Sequence, residues 1–172
     1  STRSGHIALV GRPNVGKSTL MNALVGEKLS IVTPRAQTTR ERVFGILTSE
    51  DVQIIFVDTP GLLEPKYKLQ QAMLETALSA IADSDVVLLL LDATRPEEIP
   101  TSDVIGILQF KATNVVIAIN KTDQGKASEI RGLQHWTKTT FGRDAIELSA
   151  LKGDGLEAPR EALVTRLAES PL

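Results

Sequence analysis

Gly11-Arg-Pro-Asn-Val-Gly16-Lys17-Ser18 decides the reading of this 172-residue chain, because it fits GxxxxGK[ST] and stands between an apolar run, Ile7 to Val10, and a helical stretch. A strand turning through glycines into a helix is the context that this spacing needs. Glycines let the backbone wrap closely around phosphate oxygens, and the amides at the helix start point at negative charge with the helix dipole behind them. Asn14, Val15, Gly16, Lys17, Ser18 and Thr19 form the expected phosphate cradle. Lys17 would bridge the β- and γ-phosphates, and Ser18 would put its hydroxyl on Mg²⁺. A glycine-rich turn with an incidental lysine is the bland alternative, and it leaves both flanks and the distal motifs unexplained.

Around this loop, apolar strand-like runs alternate with helical stretches. The runs are Ile7 to Val10, Val43 to Leu47, Val52 to Val57, Val86 to Leu91, Val115 to Ile119 and Ala145 to Leu148. Several are apolar at nearly every position, as parallel strands covered on both faces must be. Only Thr48 to Asp51 separate the second run from the third, too few for a crossover helix, so these two should pair antiparallel. Helices are expected over Lys17 to Leu24, Lys68 to Ile81, Thr101 to Phe110, Lys126 to Phe141 and Pro159 to Leu167. Pro159 is tolerable only in a first turn, and Gly132 weakens its helix by about 1 kcal/mol relative to Ala. The expectation is a three-layer α/β fold of the P-loop NTPase kind, with a six-stranded, mostly parallel sheet, one antiparallel strand and helices on both faces. Gly26 to Arg42 reads as a long mobile loop ahead of the second strand.

Composition sets the bounds. Hydrophobic residues at 42% and charged residues at 23% describe an ordinary globular domain, and the length suits one domain with one core. Cysteine is absent, which excludes disulfides and cysteine metal sites and agrees with a reducing compartment, so a cytoplasmic location is the default. The longest aliphatic run, Val86 to Leu91, is far short of the roughly 20 residues that span a bilayer. A formal charge of -2 gives no overall field for nucleic acid. The start at Ser1 and the end just past a helical stretch read like a domain cut from something longer.

A phosphate loop does not choose the base. Asn120-Lys121-Thr122-Asp123 ends an apolar strand, at the rim where open α/β sheets bind ligands. The Asp123 carboxylate can accept from the N1 hydrogen and the 2-amino group of guanine, and adenine has neither to offer. Two charge-assisted bonds of about 1.5 to 3 kcal/mol each imply roughly 10² to 10⁴-fold discrimination. Lys121 can lay its aliphatic stem along the base, and Asn120 can tie this loop to the phosphate loop. Ser149-Ala150-Leu151 would present a backbone amide to guanine O6.

Asp58-Thr59-Pro60-Gly61 ends another buried run and supplies a carboxylate near Mg²⁺, expected to act through water, with the Gly61 amide on the γ-phosphate. Alone, it reads equally as a strand-ending turn. Thr38 and Thr39 in the long loop carry hydroxyls that could complete the Mg²⁺ shell, and Thr39 is the favoured metal ligand. Lys17, Thr39 and Gly61 are thus the candidate catalytic groups. His6 and His135 have no partners in these motifs, and Tyr67 and Trp136 read as packing residues.

Taken together, GRPNVGKS, QTTR, DTPG, NKTD and SAL identify the chain as resembling the translation-factor-related P-loop GTPases from Gly11 to Leu151. The stretch from Gly26 through Gln37-Thr38-Thr39-Arg40 to Ile46 is similar to the switch region of Era-type GTPases; Der and MnmE types more often carry Gly-Thr-Thr-Arg or Gly-Val-Thr-Arg there. The resemblance implies a GTP/GDP switch, 16S ribosomal RNA and the 30S subunit as partners, and a downstream KH domain that this chain does not include. It allows peripheral membrane association. It also implies that Asn14 holds K⁺ where an arginine finger would otherwise act. Leu62 stands where Ras-type enzymes place a water-orienting Gln, so slow basal turnover is expected. A nucleotide-gated binding module with negligible turnover is the rival reading. Arg35, Arg40 and Arg42 near the switch read as a solvated charged loop.

Overall fold

A sheet runs through the molecule with helices against both faces. The computed structural model describes residues 2–11, 16–25, 29–31, 43–48, 50–59, 71–167 and 169–170. In chain order these form β1 (Thr2–Val10), α1 (Lys17–Val25), β2 (Leu29–Ile31), β3 (Val43–Thr48), β4 (Val52–Asp58), α2 (Gln71–Asp83), β5 (Val86–Asp92), α3 (Ser102–Phe110), β6 (Val115–Asn120), α4 (Ala127–Phe141), β7 (Ile146–Glu147), α5 (Glu157–Arg166) and β8 (Glu169–Ser170). All six expected strands are present, and β3 pairs antiparallel with β4.

Two very short strands add to these six. The described sheet has eight strands in the order β2-β3-β4-β1-β5-β6-β7, with β8 against β1. β2 pairs antiparallel with β3 inside the segment expected to be loop. β8 pairs antiparallel with Thr2 and Arg3 at the start of β1. Both are two or three residues long, too short to leave a periodic pattern. The polar start of β1, Thr2 to Gly5, belongs to the strand because backbone pairing with β4 from Arg3 onward needs no apolar side chain.

Side-chain alternation sorts the core into two layers. Ile7, Leu9, Leu88, Leu90, Val116 and Ala118 face α1 and α5, where they meet Leu20, Met21, Leu24, Leu163 and Leu167. Ala8, Val10, Leu89, Leu91, Ile117 and Ile119 face the other way, toward Ile81 of α2, Val104 and Leu108 of α3 and Leu133 of α4. β5 and β6 are buried at every position, which is why they read as unbroken apolar runs. Each such leucine contributes about 1.5–3 kcal/mol on burial. Pro159 sits in the first turn of α5. Trp136 packs edge-on against Phe141, with ring centroids 5.8 Å apart.

This topology places the site. From β1 the chain proceeds through α1 toward β3 and β4 on one side, then through α2 to β5 on the other. The order therefore reverses at β1, and the carboxyl ends of the strands beside such a reversal are where open α/β sheets bind ligands. The phosphate loop follows β1, Asp58 ends β4, Asn120 ends β6 and Ser149 follows β7.

Candidate nucleotide site

The phosphate cradle is built where β1 gives way to α1. Gly16 has φ +88°, in the left-handed region, and a Cβ there would stand 3.2 Å from the Asn120 amide nitrogen. Its carbonyl accepts from Leu20 N at 2.8 Å, which starts α1 immediately after the turn. Lys17 is buried, whereas Ser18 and Thr19 are exposed in the first turn, where helix amides and hydroxyls can meet an anion. Asn14 and Val15 lie outside the described residues, as do Thr38, Thr39, Gly61 and Leu62.

Lys17 Nζ donates to Asp58 Oδ1 at 2.6 Å, with side chains 7% and 11% exposed. The two residues expected at the γ-phosphate and at Mg²⁺ are thus brought together. Thr59, next along, is buried, and its backbone NH and hydroxyl both donate to Leu9 O, at 3.2 and 2.7 Å. This clip fixes the carboxyl end of β4 against β1 and so sets where Asp58 stands.

The loops expected to read the base come near the phosphate-loop end at Asn120. Its Oδ1 accepts from Ala150 N at 3.1 Å, while its Nδ2 lies over Gly16. One buried amide thus bonds the turn after β7 and stands close to Gly16 at the start of α1. Thr122 secures the same junction, its NH and hydroxyl both donating to Leu148 O at 3.2 and 2.9 Å. Asp123 is exposed at the rim, and its Oδ1 accepts from the buried Ser149 hydroxyl at 2.8 Å. Ser149 in turn exchanges two backbone bonds with Asp154, each 3.0 Å. The Ala150 amide, which the sequence reading offered to guanine O6 as part of the Ser149-Ala150-Leu151 turn, already has Asn120 as acceptor, and Leu151 is 74% exposed beside it.

Lys121 has φ +64° and Nζ 3.0 Å from Asp92 Oδ2. Asp92 was not among the expected residues. Its only sequence signal is a carboxylate closing the wholly apolar run Val86 to Leu91. Thr59, Thr122 and Ser149's hydroxyl were likewise legible only as neighbours of motif residues, because a backbone clip has no sequence pattern of its own.

Among the described residues no cluster of three or more His, Cys, Asp or Glu could hold a metal by itself. Among the same residues no helix is long and apolar enough to cross a membrane.

Comparison with known proteins agrees with this geometry. Residues 6–121 match the family described as "50S ribosome-binding GTPase". The chain is 41% identical over 172 residues to GTPase Era of Synechocystis, covering 98% of this chain and 55% of that protein. To GTPase Era of Clostridium perfringens it is 42% identical, covering 98% and 57%. A crystal structure of Era with MgGDPNP and nucleotides 1506–1542 of 16S ribosomal RNA superposes with a TM-score of 0.74 at 36% identity, over 100% of this chain and 60% of that one. The chain therefore spans rather more than half the length of these relatives. The phosphate loop, the guanine-type loops and the match over two thirds of the sequence together place the chain in the 50S ribosome-binding GTPase family.

Proposed function

We propose that this chain binds guanine nucleotide selectively and hydrolyses GTP to GDP and phosphate with Mg²⁺, as an Era-type switch acting in assembly of the small ribosomal subunit. The observation that carries the nucleotide reading is Asn120, whose one side chain joins the phosphate loop to the loops that read the base. The ribosomal part rests on likeness to Era, one relative of which is in complex with 16S ribosomal RNA. The family description names the 50S subunit, but at about 40% identity the Era relatives are the more specific guide.

In hydrolysis, water adds to the γ-phosphorus, the bond to the β–γ bridging oxygen breaks, and GDP leaves. Catalysis of this kind is positioning and charge stabilisation. Ser18 and Asp58 are the described residues that would hold Mg²⁺, Asp58 through water, and Thr39 is proposed to complete the shell. Bound there, Mg²⁺ neutralises charge on the β- and γ-phosphates. Lys17 now faces Asp58; with nucleotide its ammonium serves the phosphates, and Asp58 is released to the metal side. Val15, Gly16 and Thr19 would supply phosphate-loop contacts, and the Gly61 amide would serve the γ-phosphate. Asp123 reads the guanine edge, with Ser149 holding its carboxylate in place. Because an aliphatic Leu62 cannot orient water, basal turnover is expected to be slow, and Asn14 would hold K⁺ to supply the missing positive charge.

The test is single-turnover phosphate release with Mg²⁺, comparing GTP with ATP and K⁺ with Na⁺. Release from GTP alone, faster in K⁺, supports the whole reading. Equal rates in K⁺ and Na⁺ remove the cation from it. Tight guanine-specific binding without release converts the chain into a nucleotide-gated binding module, and equal use of ATP refutes the guanine assignment.

A further inference from the structure

We propose that Asp92, at the end of β5, is a positioning residue for guanine recognition: it fixes the Lys121 side chain against which the base lies. This deepens the reading of Asn120 to Asp123 as the guanine loop and rests on it.

The argument begins with Asp92 itself. It is the last residue of a strand that is otherwise all valine and leucine, and its side chain is 5% exposed. A carboxylate so placed must be satisfied locally. Its Oδ1 accepts from the NH and the hydroxyl of Thr94, at 2.8 and 2.6 Å, in the turn that follows. Its Oδ2 is left to meet Lys121 Nζ at 3.0 Å. Two bonds hold one oxygen still, and the other therefore has a fixed direction. The Lys121 side chain is 28% exposed, so it keeps accessible surface while its ammonium is held by Asp92.

The backbone confirms that this contact is built into the fold. Asp92 and Asn120 are register partners across the parallel pair β5–β6. Ala93 N donates to Asn120 O at 2.9 Å. Lys121 O accepts from both Gln124 N and Gly125 N, at 2.9 and 3.1 Å, closing the guanine loop into a tight turn. Gly125 lies so near the β5 end that a Cβ on it would come within 2.7 Å of Ala93 Cβ. Lys121 also adopts a left-handed backbone, which costs a non-glycine residue about 1–2 kcal/mol. An ion pair from a rigid strand end offsets that strain and chooses one Lys121 rotamer from many. Without it, a four-carbon side chain would have to be ordered by the nucleotide itself, at a cost in affinity.

Such a role affects binding of the base in all nucleotide states and leaves the γ-phosphate chemistry alone. The experiment uses the 172-residue chain with mant-GDP as the binding probe and GTP for steady-state kinetics. Asp92→Asn is expected to weaken mant-GDP about tenfold and raise KM for GTP similarly, with kcat within about twofold of the parent. Asp92→Glu, which keeps the charge, should recover most of the loss. In a Lys121→Ala background Asp92→Asn should add less than about twofold, because the two act as one unit. A folded Asp92→Asn with parental affinity, or one whose effect is additive with Lys121→Ala, overturns the proposal. Should Asp92→Asn fail to fold, Thr94→Val decides by the same cycle: about threefold weaker binding with Lys121 present and none in its absence supports the role, and equal effects in both backgrounds overturn it. Asp123→Asn serves as the separate control. If it leaves the preference for guanine over xanthine nucleotides unchanged, the guanine-loop reading itself has failed; if it shifts that preference while Asp92 is inert, only the present inference has.

Discussion

Substituting Asn120 by Ala should damage the protein before any nucleotide is added. The side chain is buried at the junction of three loops, and its Oδ1 is the acceptor for the buried Ala150 NH. Deleting it leaves that donor unpaired in a place closed to water, at about 1–3 kcal/mol. For a chain of 172 residues the unfolding entropy is roughly 0.36 kcal/mol/K, at about 2.1 cal/mol/K per residue, so the expected fall in Tm is about 3–8 °C. Asn120→Asp separates the two halves of the contact. It keeps an acceptor for Ala150 NH but turns the group facing Gly16 from donor to acceptor, so it should lose less stability and still lose guanine nucleotide binding. Calorimetry without nucleotide, paired with mant-GDP titration, reads both. An Asn120→Ala protein melting within about 1 °C of the parent would refute the reasoning, since it would mean that the Ala150 amide finds water or another partner at no cost.

Further outcomes follow from other contacts. Lys17→Ala leaves the nearly buried Asp58 carboxylate without its cation and should lower stability by about 3 kcal/mol while abolishing hydrolysis, as thermal melts and phosphate release will show. Arg160→Ala removes the guanidinium that bonds Leu24 O at 2.7 Å and Ala23 O at 3.3 Å at the end of α1, and should cost about 1–2 kcal/mol in urea unfolding with guanine selectivity intact. Gly132→Ala runs the other way: nothing lies within 4 Å of a Cβ there on the exposed face of α4, so urea unfolding should show a gain of about 0.5–1 kcal/mol.

Much of this was legible in the residues, for reasons that also mark where legibility stops. Val86 to Leu91 and Val115 to Ile119 announce themselves because strands buried on both faces must be apolar throughout. Strands β2 and β8 do not, because a two- or three-residue strand is specified by the neighbour it pairs with rather than by its own sequence. The phosphate and guanine motifs were visible because their chemistry restricts residue type. The supports beneath them were hidden because it restricts only position: Thr59 clips to Leu9, Thr122 to Leu148 and Ser149 to Asp123 by bonds that many polar residues could make. Asp92 lies between these cases, a charge in an apolar run whose partner, 29 positions away, only the β5–β6 register identifies.

The arrangement also constrains how the ends of the nucleotide can influence one another. The Asn120 amide accepts from Ala150 N on the base side, and its nitrogen lies close enough to Gly16 on the phosphate side that a Cβ there would stand 3.2 Å from it. Lys17, one residue beyond Gly16, is held by Asp58, and Asp58 adjoins the Thr59 clip to β1. Asn120 thus stands at one end of a short chain of contacts that places the phosphate lysine and the metal-side carboxylate. Coupling of nucleotide affinity to hydrolysis is therefore expected at Asn120 and Gly16, whereas Asp92 and Lys121 act on affinity. Gly16→Ala, with φ +88° and a neighbour at 3.2 Å, should then weaken GDP and GTP binding together and slow hydrolysis at saturating GTP. A variant that lost phosphate affinity but kept parental kcat would show that the loops work independently.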